Sequence, residues 1–392
     1  MSSTKINKKN SLILEEIDKA LETAMFYGFV PIKKPRVTKE DSVLSGDCND
    51  CIAEPEIGSE MERSHRLENK IRILRSYLDG HFQKLPSPTM VCYKETVGKQ
   101  NTESVLNLLI LGQLESIAEA IAIKTATSLL SQHAQNLKVE INHIGDRECF
   151  TKFEKDFFGH LKKNLDNTPG NQIQDSNINR VYRKYKENEN LKSFWNSAPK
   201  PLDYLDQINI KHFREILEYL EQLETPYDLN HFLIPNWENC HRTIFKIKDG
   251  EEVLAFGLRH QNITRKFGVR KDVPMLYVSV KDRGYKNQKL KNIKQLRPKI
   301  FLMHLGNKAK AKSLIVVDTL RRAKIPLFHA LTKDQISNQL TIAESLKFSH
   351  ILIIGEKEAV ENSVIVRDAE SRTQETVPTQ TLVGHLKKIG AS

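Results

Sequence analysis

Cysteines and long apolar runs are both scarce in this chain of 392 residues. Its five cysteines are few and odd in number, which argues against a disulfide scaffold and for a reducing compartment. No apolar run approaches the roughly 20 residues that a helix needs to span a bilayer. The first residues, MSSTKINKKNSLILEEIDKALETAMFYGF, turn acidic within their apolar part and lack a small-residue cleavage site, so they predict an amphipathic helix rather than a signal peptide. We therefore expect a cytoplasmic protein.

Metal-binding and common catalytic motifs are missing as well. Cys48 and Cys51 form a single C-x-x-C pair, which supplies only two of the four ligands of a structural zinc site, and no second pair follows at zinc-ribbon spacing. The sequence contains no P-loop, no G-x-G-x-x-G, no H-E-x-x-H and no G-x-S-x-G motif. We therefore expect no metal site, and these motifs assign no enzyme class.

What the chain does contain is ordinary apolar content and an excess of basic residues. Its 39% hydrophobic residues are ordinary for a globular protein, and 392 residues are enough for two or three domains with their own cores. Its 60 Lys and Arg against 49 Asp and Glu give a net charge of +11, which favours contact with a polyanion such as RNA or with an anionic membrane surface. Thirteen basic residues between positions 259 and 299 face only Asp272 and Asp282. RNA binding and a solvated face or linker both explain such a run.

The last quarter of the chain has the clearest structural pattern. Between Lys299 and Ile389, the apolar runs KIFLMHL, IPLFHAL and HILIIGE predict buried strands, while AKAKSLIVVDTLRRAK and KDQISNQLTIAESLK have helical spacing. Strands alternating with helices predict a parallel sheet with right-handed crossovers. The segments NSVIVRDAES and QETVPTQ predict an added hairpin, and TLVGHLKKI predicts a last helix.

This segment, ending in SVIVRDAESRTQETVPTQTLVGHL, resembles the anticodon-binding domain of histidyl-tRNA synthetases, a class II aminoacyl-tRNA synthetase family. The resemblance implies an α/β (α+β) protein, with a class II core of mixed antiparallel sheet and helices over residues 1–285. An acidic loop at 40–62 and a helical insertion at about 164–200 interrupt that core. A basic linker at 286–298 leads to the anticodon-binding-like α/β domain at 299–392. The segment YGFVPIKKP resembles motif 1, which forms much of the family's dimer interface and implies a homodimer.

The resemblance also allows the ATP-binding positions to be compared. In the segment VCYKETVGKQ, which resembles motif 2, Lys94 and Glu95 stand without the arginine that holds the α-phosphate in the family. A lysine supplies a point charge but lacks the planar fork of a guanidinium. In VPMLYVSVKDRG, which resembles motif 3, Lys281 stands near the second ATP-binding arginine, or Arg283 does with a shift of two residues.

The histidine-binding motifs are degenerate. FLIPNWENCHRTIFKI resembles the family's first histidine motif, in which Arg242 is retained but Pro235 stands at the catalytic arginine. Glu238 stands at an aspartate and Asn239 at the first of two tyrosines. Proline removes both the charge and a backbone donor. Of the next signature, arginine-tyrosine-aspartate, only Arg259 remains.

These positions define a degenerate pocket without an assigned catalytic residue. Losing one well-placed electrostatic contact typically costs about 10²-fold or more in rate, so loss of several predicts the loss of aminoacylation. The pocket candidates are Lys94, Glu95, Glu238, Asn239, Arg242, Arg259, Lys281 and Arg283.

Basic residues on the helices of the last domain are the candidates for RNA contact. Phosphate contacts from lysine and arginine provide affinity for RNA. Lysines at the start of a helix oppose its dipole and so have no stabilising role there. RNA binding and mere solubility both explain them. The candidates are Lys308, Lys310, Lys312, Arg321, Arg322 and Lys333.

Three functional hypotheses follow from the resemblance. The first is a catalytically degenerate paralogue of histidyl-tRNA synthetase that binds tRNA or structured RNA, with no membrane partner and no certain cofactor. The second is a divergent but active histidine-tRNA ligase that uses ATP and Mg, with Lys94 and either Lys281 or Arg283 in place of the arginines. The third is a regulatory or scaffold subunit resembling the histidine-biosynthesis regulator, which is built on the same core without the last domain.

Overall fold

The described residues form two large sheets and a short two-stranded ribbon. The structure, a computed structural model, describes residues 13–46, 67–82, 85, 88–97, 103–164, 177–234, 240–270, 272–282, 291–292, 298–332 and 335–391. Among these residues, no helix has both the length and the apolar content that crossing a membrane requires.

The first part of the chain builds the ribbon and the larger sheet. Its strands are β1 (Glu16–Ile17), β2 (Val30–Pro31), β3 (Thr89–Val97), β4 (Glu103–Leu111), β5 (Leu137–His143), β6 (Tyr227–Leu229), β7 (Cys240–Asp249), β8 (Glu252–His260), β9 (Met275–Lys281) and β10 (Lys291–Asn292). Its α-helices are α1 (Lys19–Phe26), α2 (Lys39–Gly46), α3 (Leu67–Leu78), α4 (Ile117–Leu130), α5 (Arg147–Asn164), α6 (Ile178–Tyr185), α7 (Lys192–Ser197) and α8 (Gln207–Gln222).

The larger sheet, called the core sheet here, has eight strands in the order β2-β3-β4-β9-β8-β7-β5-β6. Neighbours are antiparallel except for the two outer pairs, β2 with β3 and β5 with β6. The central strand β4, ESVLNLLIL, is apolar on both sides because helices cover both faces of the sheet. This mixed sheet with helices confirms the predicted fold class.

The two faces of the core sheet differ in the helices that cover them. On one face, Leu106 and Val278 belong to the same apolar cluster as Ala120 and Ile121 of α4. We call this the α4 face. On the other face, Leu109 packs in a cluster with Ile71 and Leu74 of α3, and we call this the α3 face. Successive residues of a strand point to opposite faces, so the parity of each strand position decides which face it serves.

The second sheet, called the tail sheet here, is built from the last part of the chain. It comprises β11 (Ile300–His304), α9 (Asn307–Arg322), β12 (Leu327–His329), α10 (Ile336–Leu346), β13 (His350–Ile354), α11 (Glu356–Glu361), β14 (Ser363–Asp368), β15 (Gln374–Pro378) and α12 (Leu382–Lys388). Its strand order is β12-β11-β13-β14-β15. β11 is parallel to both β12 and β13, and β14 and β15 are antiparallel. The predicted parallel sheet with an added hairpin is confirmed.

The first helix is shorter than its periodicity predicts. Asp18 caps α1, and its carboxylate accepts hydrogen bonds from the backbone N–H groups of Ala20 and Leu21 at 3.1 and 3.0 Å. Ile17 precedes this cap and pairs with β10, while Ile13 forms a bridge with Ile32. An N-cap residue has non-helical dihedral angles, so the helix begins only at Lys19 despite the apolar spacing upstream.

A buried polar group, called the joint here, connects the tail sheet to the core helices. The Tyr27 hydroxyl lies 2.7 Å from Ser128 Oγ and donates to Asp318 Oδ1 at 2.7 Å. Lys124 Nζ lies 3.3 Å from the other carboxylate oxygen. Arg321 Nε donates to Asp318 Oδ1 at 3.1 Å and to the Tyr27 oxygen at 3.2 Å. The five residues tie α9 to α1 and α4.

Candidate functional site

A row of polar side chains crosses three strands of the core sheet on its α3 face. Asn107 of β4 lies opposite Tyr93 of β3 and Ser279 of β9. Its amide nitrogen donates to Glu95 at 2.8 Å, and its amide oxygen accepts from the Ser279 hydroxyl at 2.7 Å. Lys34 Nζ lies 3.0 Å from the second carboxylate oxygen of Glu95. Both Glu95 oxygens and both ends of the Asn107 amide therefore bond to other groups of the protein.

Two tyrosines and a lysine lie next to this row. The hydroxyls of Tyr93 and Tyr277 are 2.7 Å apart, and both side chains are fully buried. Lys70 of α3 is 1% exposed, and its Nζ lies 5.2 Å from the centre of the Tyr277 ring, within cation–π range. Burial raises the pKa of both tyrosines well above their usual value, so they remain neutral. The α3 face is filled here by the protein's own side chains.

Lys94 and Glu95, the two residues predicted in the motif 2-like strand, point to opposite faces. Lys94 lies opposite Leu106 on the α4 face. Its Nζ contacts Asp18 at the start of α1 at 2.5 Å and also contacts Asp282. Because side chains alternate along a strand, the neighbour that shares a face with Glu95 is Tyr93. The cation of Lys94 is held by two carboxylates on the opposite side of the sheet from the polar row.

Arg259 also lies on the α4 face. It stands opposite Leu276 on β9, is fully buried, and donates from Nε and Nη2 to Glu119 of α4 at 2.7 and 2.6 Å. Its Nη1 donates to the backbone oxygen of Gln113. Burial acts to raise the pKa of Glu119, but the charges of Arg259 and then His212 lower it. A bidentate pair of this kind orders the helix against the sheet.

The remaining pocket candidates are spread over the sheet. Arg242 adopts a left-handed backbone conformation (φ 67°), and burial followed by the charge of Arg259 lowers its pKa. Lys281 is on the α3 face, two residues beyond Ser279, and lies 3.2 Å from Glu252. Glu95, Val105 and Lys281 are in register across three strands, which places Glu95 and Lys281 about 10 Å apart. Glu238, Asn239 and Arg283 lie outside the described residues.

On the described part of the α3 face, the polar groups already bond to one another within the protein. An α-phosphate clamp requires an arginine directed at the ligand. The described strands of the core sheet carry two arginines, Arg242 and Arg259, and Arg259 is committed to Glu119 on the other face. The carboxylate of Glu95 already bonds to Asn107 and Lys34. Nucleotide or metal would have to displace these contacts.

Another group of possible metal ligands is explained by helix capping. Ligand atoms of Asp146, Cys149 and Asp206 lie within 4.8 Å of one another. Asp146 accepts from the backbone N–H of Cys149 at 3.0 Å, and Asp206 caps α8 by accepting from the N–H of Asn209 at 2.8 Å. Both carboxylates thus accept hydrogen bonds from backbone N–H groups in the first turn of a helix.

The RNA candidates differ in their exposure and in their internal partners. Lys308 and Arg322 are exposed at opposite ends of α9, about 21 Å apart along the helix axis. Lys310 is 4% exposed and lies 2.7 Å from Glu115. Lys312 donates to Asn362 at 2.6 Å, and Arg321 belongs to the joint. Lys333 lies outside the described residues.

Known proteins match this chain at low identity but over most of its length. A family model described as the anticodon binding domain matches residues 299–389. A histidine–tRNA ligase of Protochlamydia amoebophila (strain UWE25) is 22% identical over 405 residues, which cover 97% of this chain and 95% of that protein. The chain is thus similar to histidyl-tRNA synthetases at low identity over almost its whole length. The predicted resemblance is confirmed at that level.

Two further matches are also at low identity. A histidine–tRNA ligase of Ruthia magnifica subsp. Calyptogena magnifica is 26% identical over 266 residues, which cover 65% of this chain and 62% of that ligase, less than two thirds of its length. The crystal structure of apo S. aureus histidyl-tRNA synthetase matches with a TM-score of 0.47 and 16% identity, covering 93% of both chains.

Several residues of the polar row were not among the residues predicted from sequence. Tyr93 could have been found, because it lies two residues before Glu95 in a strand and so shares its face. Asn107 and Ser279 are single polar residues inside apolar runs, and a polar residue in a buried strand requires a partner. Lys70 has no such signal, since helical spacing does not indicate which ring its ammonium meets.

Proposed function

We propose that this histidyl-tRNA synthetase relative does not aminoacylate tRNA and binds tRNA or structured RNA through its last domain. The observation that carries the first half is the polar row, in which Glu95, Asn107 and Ser279 bond to one another and to Lys34. A site that binds and activates substrates needs polar groups free to meet them. Here those groups are used within the protein.

The tail supports the second half of the proposal. Residues 299–389 match the anticodon binding domain, and the whole chain carries a net charge of +11. Lys308 and Arg322 remain exposed on α9, where they can meet backbone phosphates. We propose these two as direct RNA contacts.

We propose the domain boundaries and the assembly on the same basis. A core over 1–285, a linker over 286–298 and a tail domain over 299–392 agree with where the two sheets lie in the chain. A homodimer rests on the motif 1-like segment YGFVPIKKP. Light scattering of the purified full chain tests it, because a mass near 45.1 kDa would contradict the dimer.

The deciding experiment measures ATP–pyrophosphate exchange with each amino acid, beside a gel shift against total tRNA. We expect no exchange with any amino acid, and tRNA binding that weakens as salt increases. An active histidyl-tRNA synthetase run in parallel controls the exchange assay. Histidine-dependent exchange would overturn the proposal and make the chain a divergent ligase. Absence of both exchange and tRNA binding would favour a regulatory or scaffold subunit, which association with a phosphoribosyltransferase would then test.

A further inference from the structure

A cleft of about 530 Å³ opens beside the joint, between the core helices and the end of α9. Its core wall comes from one side of α1 and the end of α4, and its tail wall comes from the last residues of α9 and the turn after it. The lining residues are Lys19, Glu22, Thr23, Phe26, Ser128, Ser131, Gln132, Arg321, Arg322 and Lys324. Most of them are polar, so the cleft suits a charged ligand better than an apolar one.

The charges around the cleft are predominantly positive. Four lining residues are cationic and one, Glu22, is anionic. Behind the wall, Lys124 and Asp318 of the joint cancel each other. The ends of α4 and α9 add about half a negative charge each, which leaves an excess of about two positive charges. This excess favours an anion that can meet several cations at once.

The joint holds the arginines of the cleft in place. Arg321 uses Nε and Nη2 to contact Asp318, which leaves Nη1 for a ligand. Arg322 lies 2.7 Å from the same carboxylate while remaining 69% exposed. Lys19 and Lys324 are exposed on opposite walls. Guanidinium groups fixed by a buried carboxylate lose less rotamer freedom on binding a phosphate.

Helix capping accounts for only part of this arrangement. Arg321 and Arg322 stand in the last turn of α9, where cations are favoured by the helix dipole. That argument does not extend to Lys19, the first residue of α1, because a cation opposes the dipole at that end. Lys19 nevertheless faces the same cleft as the arginines.

We propose that this cleft binds backbone phosphates of the RNA, so that the RNA contacts the core helices as well as the tail. The inference rests on the proposed RNA-binding function and gives it a location. We expect contact to phosphates, because the four cations of the cleft complement several negative charges at once. RNA thereby spans the core wall and the tail wall of the cleft.

The test uses single charge reversals on each wall, Lys19→Glu on the core and Lys324→Glu on the tail, with total tRNA as the probe. Neither lysine belongs to the joint. We expect each variant of the full chain to weaken tRNA binding at least tenfold at low salt. We also expect each to reduce the slope of log K against log salt by about one. Fluorescence anisotropy over a series of salt concentrations gives both quantities.

Two matched controls have the same charge change in the same backbone setting. Lys39 is, like Lys19, the exposed first residue of an eight-residue helix. Lys347 is, like Lys324, an exposed lysine with a left-handed backbone just after a helix, at φ 53° against 58°. Lys39→Glu and Lys347→Glu should each change tRNA affinity less than about threefold, since loss of overall charge acts weakly at a distance in salt.

The outcomes separate the two proposals. If Lys19→Glu behaves like Lys39→Glu while the wild type binds tRNA, RNA does not reach the core wall and the cleft proposal fails, although RNA binding stands. If the wild type does not bind tRNA at all, both proposals fail. Thermal melting of each variant checks that it is folded. Gln132→Glu adds an anion to the core wall without removing a cation, and it should also weaken tRNA binding.

Discussion

Glu119 and Arg259 illustrate how a residue suited to a binding site can serve the core instead. Both side chains are fully buried, and they meet through two hydrogen bonds between α4 and β8. We expect Glu119→Gln to lower the free energy of unfolding by about 3–5 kcal/mol, because it leaves the Arg259 charge buried without a counter-charge. Urea denaturation of the purified variant measures this change.

A surface pair provides the control for that measurement. Glu148 and Lys152 form an exposed pair one helical turn apart on α5, so Glu148→Gln should lower the free energy of unfolding far less than Glu119→Gln. The double variant Glu119→Leu with Arg259→Met should recover most of the loss, since apolar replacements remove both charges together. A loss in Glu119→Gln no larger than in Glu148→Gln would contradict the structural role of the pair.

The candidate site could be predicted from sequence only in part, and Lys94 shows why. The sequence places Lys94 and Glu95 next to each other, but in a strand adjacent residues serve opposite faces. The alternation of side chains along the strand would have identified Tyr93, rather than Lys94, as the neighbour that shares a face with Glu95. The partners of Lys94, which are Asp18 and Asp282, lie 76 and 188 residues away along the chain, and no local pattern connects them.

At the scale of elements, the start of α1 combines two roles in one carboxylate. Asp18 accepts from the backbone N–H groups of Ala20 and Leu21, and its other oxygen contacts Lys94. Asp18→Asn keeps an oxygen for the cap but loses the charge, whereas Asp18→Ala loses both. We expect Asp18→Ala to be the less stable of the two by about 1 kcal/mol, the usual value of an N-cap.

Urea denaturation of both Asp18 variants tests this expectation. Asp206→Ala removes the cap of α8 and its hydrogen bond to the backbone of Asn209. It should lower the free energy of unfolding by about 1 kcal/mol as well. Equal stability of Asp18→Asn and Asp18→Ala would mean that the ion pair, rather than the cap, accounts for the contribution of this residue.

The elements of the tail were predictable because each strand is a compact apolar run between turn-forming segments. β11, β13 and α9 lie within a few residues of the segments predicted for them. The exception is α11, Glu356–Glu361, which the sequence did not predict. This helix has six residues and none of them is buried, so it has no apolar periodicity from which a helix can be recognised.

At the scale of the whole molecule, the two sheets share one apolar cluster. Ile300 and Leu352 of the tail sheet belong to the same buried cluster as Leu106 of the core sheet and Ile121 of α4. The joint lies at the edge of this shared cluster. Burial acts to raise the pKa of Asp318, but the Tyr27 hydroxyl and the charges of Lys124 and Arg321 lower it to about 2.

The joint predicts a pH dependence of stability. A carboxyl whose folded pKa is lowered adds stability above its unfolded pKa near 4, and this stability is lost as pH falls toward the folded value near 2. The side chain is only 8% exposed, so we expect about 2 kcal/mol. Asp318→Asn should be less stable than the wild type by about that amount at pH 5, and the difference should shrink by pH 2.5.

Urea denaturation at the two pH values measures the effect. Asp228→Asn serves as the control, because Asp228 forms an exposed pair with Lys138 and should stay within about 0.5 kcal/mol of the wild type at both pH values. A difference between wild type and Asp318→Asn that did not change with pH would mean that the joint is not held by the charge of Asp318.

The joint also orders events during synthesis of the chain. Tyr27 and Asp318 are 291 residues apart, and a ribosome adds about 5–20 residues each second. The Tyr27 hydroxyl therefore leaves the ribosome at least about 15 seconds before the carboxylate that accepts its hydrogen bond. During that interval α1 and α4 can pack on the core sheet, but the surface that α9 will cover stays exposed. We therefore expect chaperones that bind exposed apolar surface to bind this protein mainly in the interval before its tail is made.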